Sequence, residues 1–401
     1  MRADLRRLRI VIISDWFSEK MGYVENCLPK ALASLGHEVH VISSNVQTYF
    51  NYPFYKETYE PFIGPGIVSC ITKRLNGYTL HRLPFEMCMG HLRIKGLAKA
   101  LAALRPHIVQ TLDIQSLSTY WAALGRPLLG YKLFLETTVL ASVFPFATKR
   151  DITKRERFGM IAYEALGRFV SLLSERCYAA TIDAADIAIR FFGIEPRKVS
   201  ISSLGVDTDL FRPPATKFSR KVRAQVRSEL GFLPSDIVCI YSGRFSQDKD
   251  PLCLAKAIKI VRKRNKSFRG LFIGNGPQAG AITKVEGCLV HRFVPFSELL
   301  PFYWASDVGV WPRQESTSQL DAVACGLPIV ISGRVKAVER VEGNGLTYEE
   351  GDPYDLARQL ANLSDREIRK ALGFHGARKA QDLFSWELAA TRLTNDYEAS
   401  L

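Results

Sequence analysis

The sequence predicts an α/β protein built from two doubly wound, Rossmann-like domains that face one another across a cleft, with a C-terminal helix ending the chain. Three observations carry this expectation. The chain has 401 residues, more than one hydrophobic core usually organises. Short apolar runs rich in β-branched residues alternate with helical patterns, as in βαβ units with a parallel sheet. The alternation stops in a Gly-, Pro- and Asp-rich stretch and then starts again.

In chain order, "LRIVIIS", "HEVHVIS" and "HIVQTLD" read as buried strands, followed by "YKLFLET" and "AADIAIR". The basic-then-apolar start superficially suggests a leader peptide. Its apolar run, Ile10 to Ile13, is short and no small-residue cleavage site follows, so a first strand is expected. The helix in "VENCLPKALASLGHEVHVIS" stops at Gly36. "SSLGVDTDLFRPPATKF", residues 202–218, marks the boundary. Beyond it, "DIVCIYSGRF", "FRGLFIGNG", "GCLVHRFVP", "SDVGVWP" and "LPIVIS" read as strands, with helices such as "PLCLAKAIKIVRKRNK" between them. "DLFSWELAATRLTNDYEASL" reads as a terminal helix with an apolar face at Leu383, Trp386 and Ala390. The expected division is 1–205, a linker at 206–218, 219–380, and a helix at 381–401 that packs back toward the first domain.

Hydrophobic content of 47% and charged content of 23% are those of a soluble globular protein. No apolar run approaches the roughly 18 residues needed to span a bilayer. Eight cysteines occur without a CxxC pair or zinc-like spacing, so neither a disulfide framework nor a metal is expected, and a reducing cytoplasm is. Cys239 and Cys325 lie in apolar patterns, where cysteine acts as a small hydrophobe. The net charge of +14 calls for an anionic partner or a solvated basic surface. No nucleic-acid reading module is recognisable, so nucleic acid is not an expected partner. Residues 144–178 set Lys149, Arg150, Lys154, Arg155 and Arg157 beside Phe144, Phe146 and Phe158, a mixture that favours an anionic membrane interface. An ordinary packed helix behind a solvated loop fits the same residues.

Three strand ends carry the candidate chemistry. After Gly243, Arg244 and Lys249 supply a fork and a point charge that suit a diphosphate. Gly274 and Gly276 end the next strand in a turn where backbone N–H groups can face phosphate or base. In "WPRQESTSQLDAVACGLPIVIS", a helix starts near Ser316, Thr317 and Ser318, and a helix start attracts anions. Asp321, about one turn in, either accepts hydroxyls or complements the helix dipole.

Together, "GHEVHVI", "GVDTDLFRP", "SGRFSQDKDP", "GNGP", "VPFSELLPFYWASDVGVWP" and "LDAVACGLPIV" resemble, in that order and across nearly the whole chain, the retaining glycosyltransferases of family 4, which have the GT-B fold. The resemblance implies that Arg244 and Lys249 bind the diphosphate of a nucleotide-sugar and that Asp321 binds its ribose. It places Gly22, in "FSEKMGYVEN", under donor and acceptor, and His291 near the base-binding loop.

The sequence departs from the family in three places. Arg313 stands where the first of two glutamates is usual, with Glu315 nearby. Leu112–Asp113 and Thr137–Thr138 stand where relatives often have a histidine, and His107 lies at the wrong end of its strand. The first loop has one glycine where two are common. Glu315 is therefore the candidate for the sugar hydroxyls, with Asp113 and Glu136 on the acceptor side; His37 and His40 read as structural. The implied activity is metal-independent, cofactor-free retaining transfer from a nucleotide-sugar to a polyprenyl-linked or other glycan acceptor. It would act in polysaccharide or glycolipid assembly at the inner membrane face. A non-catalytic nucleotide-sugar-binding subunit and a 2-epimerase are the alternatives.

Overall fold

The structure, a computed structural model, describes residues 6–88, 90–141, 144, 146 and 153–401, apart from the side chains of 154 and 155. The predicted fold class is observed. Among the described residues ten strands precede the linker: β1 (Arg9–Ser14), β2 (Glu38–Ser44), β3 (Thr72–Leu75), β4 (Tyr78–Leu83), β5 (Phe85–Cys88), β6 (His91–Ile94), β7 (Ile108–Thr111), β8 (Lys132–Thr137), β9 (Arg176–Ala179) and β10 (Val199–Ile201). Eight of them form one sheet in the order β10-β9-β8-β7-β1-β2-β4-β3, while β5 and β6 pair separately. All pairs in the large sheet are parallel except β3 with β4.

The second sheet contains β11 (Ile237–Ser242), β12 (Phe268–Ile273), β13 (Cys288–His291), β14 (Val308–Trp311), β15 (Ile329–Ser332) and β16 (Gly345–Tyr348). Its order is β13-β12-β11-β14-β15-β16, with every pair parallel. Strands β11, β14 and β15 are buried along their whole length, which is why they read as continuous apolar runs.

Two local expectations are corrected. "AADIAIR" is helical, within Ile182–Arg190. The Thr181 hydroxyl caps its first turn by accepting from the Ala184 N–H at 3.3 Å, and Ala184, Ala185, Ile187 and Ala188 form a buried helical stripe. The neighbouring strand is β9, just upstream. The terminal segment is likewise divided: Arg366–Leu383 and Trp386–Ser400 are separate helices, joined at the Ser385 N-cap. Leu383 is consequently exposed, while Trp386 and Ala390 are buried.

The last helix covers one face of the first sheet. Trp386, Ala390, Leu393 and Tyr397 share a core with Ile10, Ile12 and Phe134. The Tyr178 hydroxyl donates to Asp396 at 2.9 Å, and the Tyr397 hydroxyl donates to the Gln110 side-chain oxygen. Where the chain enters this helix it meets the linker: the Val206 N–H donates to the Phe384 carbonyl at 2.6 Å, and the Trp386 N–H donates to Val206 at 3.2 Å. A Cβ on Gly205 would lie 2.6 Å from the Trp386 ring, so no larger residue fits there. All eight cysteines are free, and Cys239 and Cys325 are buried. His37 accepts the Leu8 N–H at 3.3 Å and His40 contacts His81 at 3.0 Å, packing roles for both. Among the described residues no helix is long and apolar enough to cross a membrane.

Removing the Trp386 ring leaves a cavity against Gly205 and unseats the last helix. Trp386→Ala is expected to cost roughly 3–5 kcal/mol in urea unfolding. A loss below about 1 kcal/mol would show the contact to be dispensable.

Candidate active site

In doubly wound sheets, ligands gather at the carboxyl ends of the strands where the strand order reverses. The first sheet reverses between β1 and β7, and the second between β11 and β14. Both crevices open into the cleft between the domains, and their chemistry differs sharply. One is basic and the other acidic.

The basic chamber lies at the ends of β11, β12 and β14. Gly22, Gly243, Arg244, Gly274, Ser316, Thr317, Ser318 and Asp321 line one part of it, with about 730 Å³ of open space. Arg244, Lys249, Glu315 and Arg340 line the adjoining part. The turns demand glycine. Gly274 has φ 146°, and a Cβ there would come within 1.9 Å of the Gly243 carbonyl oxygen. Gly276 packs on the Phe245 backbone behind the turn instead of lining the chamber. Gly22 is required for another reason, since a Cβ there would fall 2.1 Å from the Phe296 ring across the cleft.

The helix Thr317–Ala324 points its first turn into this chamber, and its N-cap, Ser316, makes no capping bond with its side chain. The Ser316 hydroxyl is instead 2.6 Å from that of Ser318, which also accepts from Trp311 Nε1 at 3.0 Å. Arg340 donates to the Ser316 carbonyl and to Gln319 Oε1, both at 3.1 Å. Uncapped N–H groups, Arg244, Lys249 and Arg340 together put positive charge and free donors along one wall, an arrangement that suits an anion. Lys249 donates to the Glu315 carbonyl at 2.9 Å, and burial, with help from the Arg244 charge, pulls its ammonium down to about 8. The Arg244 guanidinium lies over the rings of Tyr49 and Tyr52 at 5.2 and 5.4 Å, contacts from the opposite domain.

The two acids of this wall sit differently. Asp321 is 4% exposed, and burial, reinforced by Asp207, pushes its carboxyl well up. Glu315 follows Gln314, whose left-handed φ of 54° makes a sharp turn. One Glu315 carboxylate oxygen accepts from the Lys336 N–H at 3.2 Å. Arg313 is held apart, 3.3 Å from Glu350. His291 also lies outside this chamber, against the Phe302 ring in a neighbouring groove with its Nδ1 2.9 Å from the Arg292 carbonyl. His107 accepts the Arg9 N–H at 2.9 Å at the far end of the first sheet.

The acidic chamber lies at the ends of β1, β7 and β8 and holds about 670 Å³ of open space. Asp15, Glu25, Asp113 and Glu136 line it. Ser116 and Ser118 donate to Asp15 at 2.7 and 2.6 Å, the Gln115 N–H donates to Asp113 at 2.8 Å, and Gln110 Nε2 donates to Glu136 at 2.6 Å. Burial raises all four: Asp113 to about 6, Glu25 and Glu136 to about 7, and Asp15 upward against its serine bonds. Among the described residues no group of three or more His, Cys, Asp and Glu is arranged to hold a metal ion.

Asp113 and Glu136 thus share a chamber, while sequence reasoning missed Asp15, Glu25 and Arg340. Asp15 directly follows the first strand and Glu25 opens the first helix, positions that strand order makes informative. Arg340 has no local signal: it sits in a short 3-10 turn and reaches Ser316 only through the fold.

The raised acids couple stability to pH. In the folded chain Glu136 holds its proton to about 7 instead of 4.5, so between those values the folded state binds more protons and stability falls as pH rises. Glu136→Gln cannot lose that proton. Relative to the parent chain it is therefore expected to gain on the order of 1–3 kcal/mol between about pH 4.5 and 7.5. Parallel stability–pH curves would refute the assignment.

Comparison with known proteins accords with this geometry. Residues 236–366 match the family model described as "Glycosyl transferases group 1". Over 259 residues the chain is 28% identical to the D-inositol 3-phosphate glycosyltransferase of Streptomyces griseus, covering 57% of this chain and 54% of that one. The chain thus spans about half the length of that curated relative. Its fold is that of Anabaena HepE, solved in complex with UDP-glucose, with a TM-score of 0.69, 14% identity, and coverage of 98% and 100%. WaaG, a glycosyltransferase involved in lipopolysaccharide biosynthesis, superimposes with a TM-score of 0.66 at 13% identity, covering 95% of this chain and 98% of that one. The chain therefore carries a group 1 glycosyl transferase match over residues 236–366 and, along its whole length, the two-domain GT-B fold of these solved glycosyltransferases.

Proposed function

We propose that the protein transfers a sugar from a nucleotide-sugar donor to a glycan acceptor, retaining the anomeric configuration and needing no metal. The carrying observation is the convergence of Arg244, Lys249 and the uncapped start of helix Thr317–Ala324 on one chamber, beside buried Asp321. A departing nucleoside diphosphate gathers negative charge as the glycosidic bond breaks, and preorganised cations with helix N–H groups stabilise that charge. Asp321 would accept ribose hydroxyls. Glu315, on the same wall, would hold the sugar. The UDP-glucose bound by HepE, a protein of the same fold, supports a nucleotide-sugar as donor.

The acceptor reading is a polyprenyl-linked or other membrane-borne glycan in polysaccharide or glycolipid assembly, met at the inner membrane face. The helix Lys154–Leu172 exposes Phe158 and Leu172, each at 75%, together with Ile161 and Phe169, while Arg157 is exposed beside them. Lys149 and Arg150 lie outside the described residues. An exposed apolar stripe beside Arg157 suits an anionic bilayer.

Three measurements bear on this. Arg244→Ala and Lys249→Met are expected to weaken UDP binding at least tenfold in calorimetry while unfolding like the parent. Parental affinity in both would refute the donor reading. Because free Lys249 titrates near 8 and a bound diphosphate favours its charged form, parental affinity is expected to fall as pH climbs past about 8, and Lys249→Met to lose that decline. UDP binding without turnover on any donor–acceptor pair would instead favour a non-catalytic binding subunit. For the membrane, flotation with vesicles containing anionic lipid is expected to capture the parent but much less of Phe158→Ser/Leu172→Ser. Equal capture of both would place the contact elsewhere.

A further inference from the structure

On a chain of net charge +14, the chamber at the β1/β7 reversal is lined by four carboxylates and, among the described residues, by no Lys, Arg or His. Three of these acids are held by neighbouring donors. The fourth is not. Glu25 is 7% exposed, lines the chamber, and reaches only its own backbone N–H; among the described residues no side chain pairs with it. A buried carboxylate held by a single backbone N–H is costly unless a ligand adds a partner.

The chamber is also placed to be used. Trp16, Val24, Glu25 and Thr138 line both it and the basic chamber that contains Arg244 and Lys249, so the two spaces adjoin along one wall. Thr48, 4% exposed and with its hydroxyl unpaired, lines the basic chamber. If the basic chamber holds the donor, as proposed above, then the acidic one is where a second substrate meets it.

We propose that this chamber seats the acceptor ring and selects a sugar carrying a free amine over one carrying a phosphate. An ammonium offers three donors and a positive charge to carboxylates that otherwise face one another. A phosphate would bring further negative charge into the same confined space, where like charges repel strongly. The D-inositol 3-phosphate glycosyltransferase of Streptomyces griseus, with a phosphorylated compound in its name, would then differ from this protein in what its acceptor side accepts.

The test measures binding of glucosamine, glucose and glucose 6-phosphate to the full chain at neutral pH, by saturation-transfer NMR and calorimetry, with and without UDP. Glucosamine is expected to bind at least tenfold more tightly than glucose 6-phosphate, with glucose between them. In Asp113→Asn and in Glu25→Gln that ratio is expected to shrink severalfold. Asp113→Asn should bind UDP as the parent does, and the unfolding midpoint of each variant checks its fold. Glucose 6-phosphate binding as tightly as glucosamine, no glucosamine binding, or a ratio unchanged in both variants would overturn the inference. UDP binding without sugar discrimination would sink this inference alone. Discrimination without UDP binding would sink the donor reading alone.

Discussion

The chain passes between its two domains twice, and both passages are tied at one point. Val206 bonds to the backbone of Phe384 and Trp386, while Gly205 lets the Trp386 ring lie flat against the linker. Beyond that knot the last helix buries Trp386, Leu393 and Tyr397 in the first domain's core. A domain tethered by one strand would swing freely; one tethered by two bonded strands and a docked helix has far fewer arrangements. The carboxyl ends of both sheets therefore meet the same cleft. Smaller contacts follow from this: Phe296 against Gly22, Asn275 Nδ2 donating to the Glu57 carbonyl at 2.6 Å, and Lys30 paired with Asp207 at 2.5 Å.

Within that frame the cleft divides its charge. The wall from the second domain presents Arg244, Lys249, Arg340 and a helix start; the wall from the first presents Asp15, Glu25, Asp113 and Glu136. Burial acts on both walls in opposite senses, lowering the Lys249 ammonium and raising the carboxyls. Lys249 and these carboxyls are held away from their solvated equilibria, and a ligand of opposite charge relieves them. The two walls thus suit ligands of opposite charge, as the proposed donor and acceptor would be, and they adjoin at Glu25 and Trp16.

Much of this was legible in the residues. The βαβ alternation, the linker and the glycine turns after β11 and β12 have local physical signatures, because periodicity and φ > 0 are local properties. The grouping of Arg244, Lys249 and Asp321 emerged from the order of several weak segments. Where local signals conflicted, reading failed. "AADIAIR" has apolar residues that suit either period, and the Thr181 cap decides for helix. Leu383 lies in phase with Trp386 on paper, yet the Ser385 cap begins a new helix with its own axis.

By itself, then, the sequence determined two successive, largely parallel sheets, their order, and the residue types whose chemistry suits an anion. Tertiary structure decided the rest, for reasons of distance. Arg340 reaches the start of a helix 24 positions earlier. Glu25 and Asp113 share a chamber only because β7 pairs beside β1, a choice of strand order that no local pattern encodes. The turn at Gln314 sends Arg313 toward Glu350 and Glu315 toward the cleft. Periodicity fixes which face of an element is apolar; only the packing of distant elements fixes what that face and its loops confront.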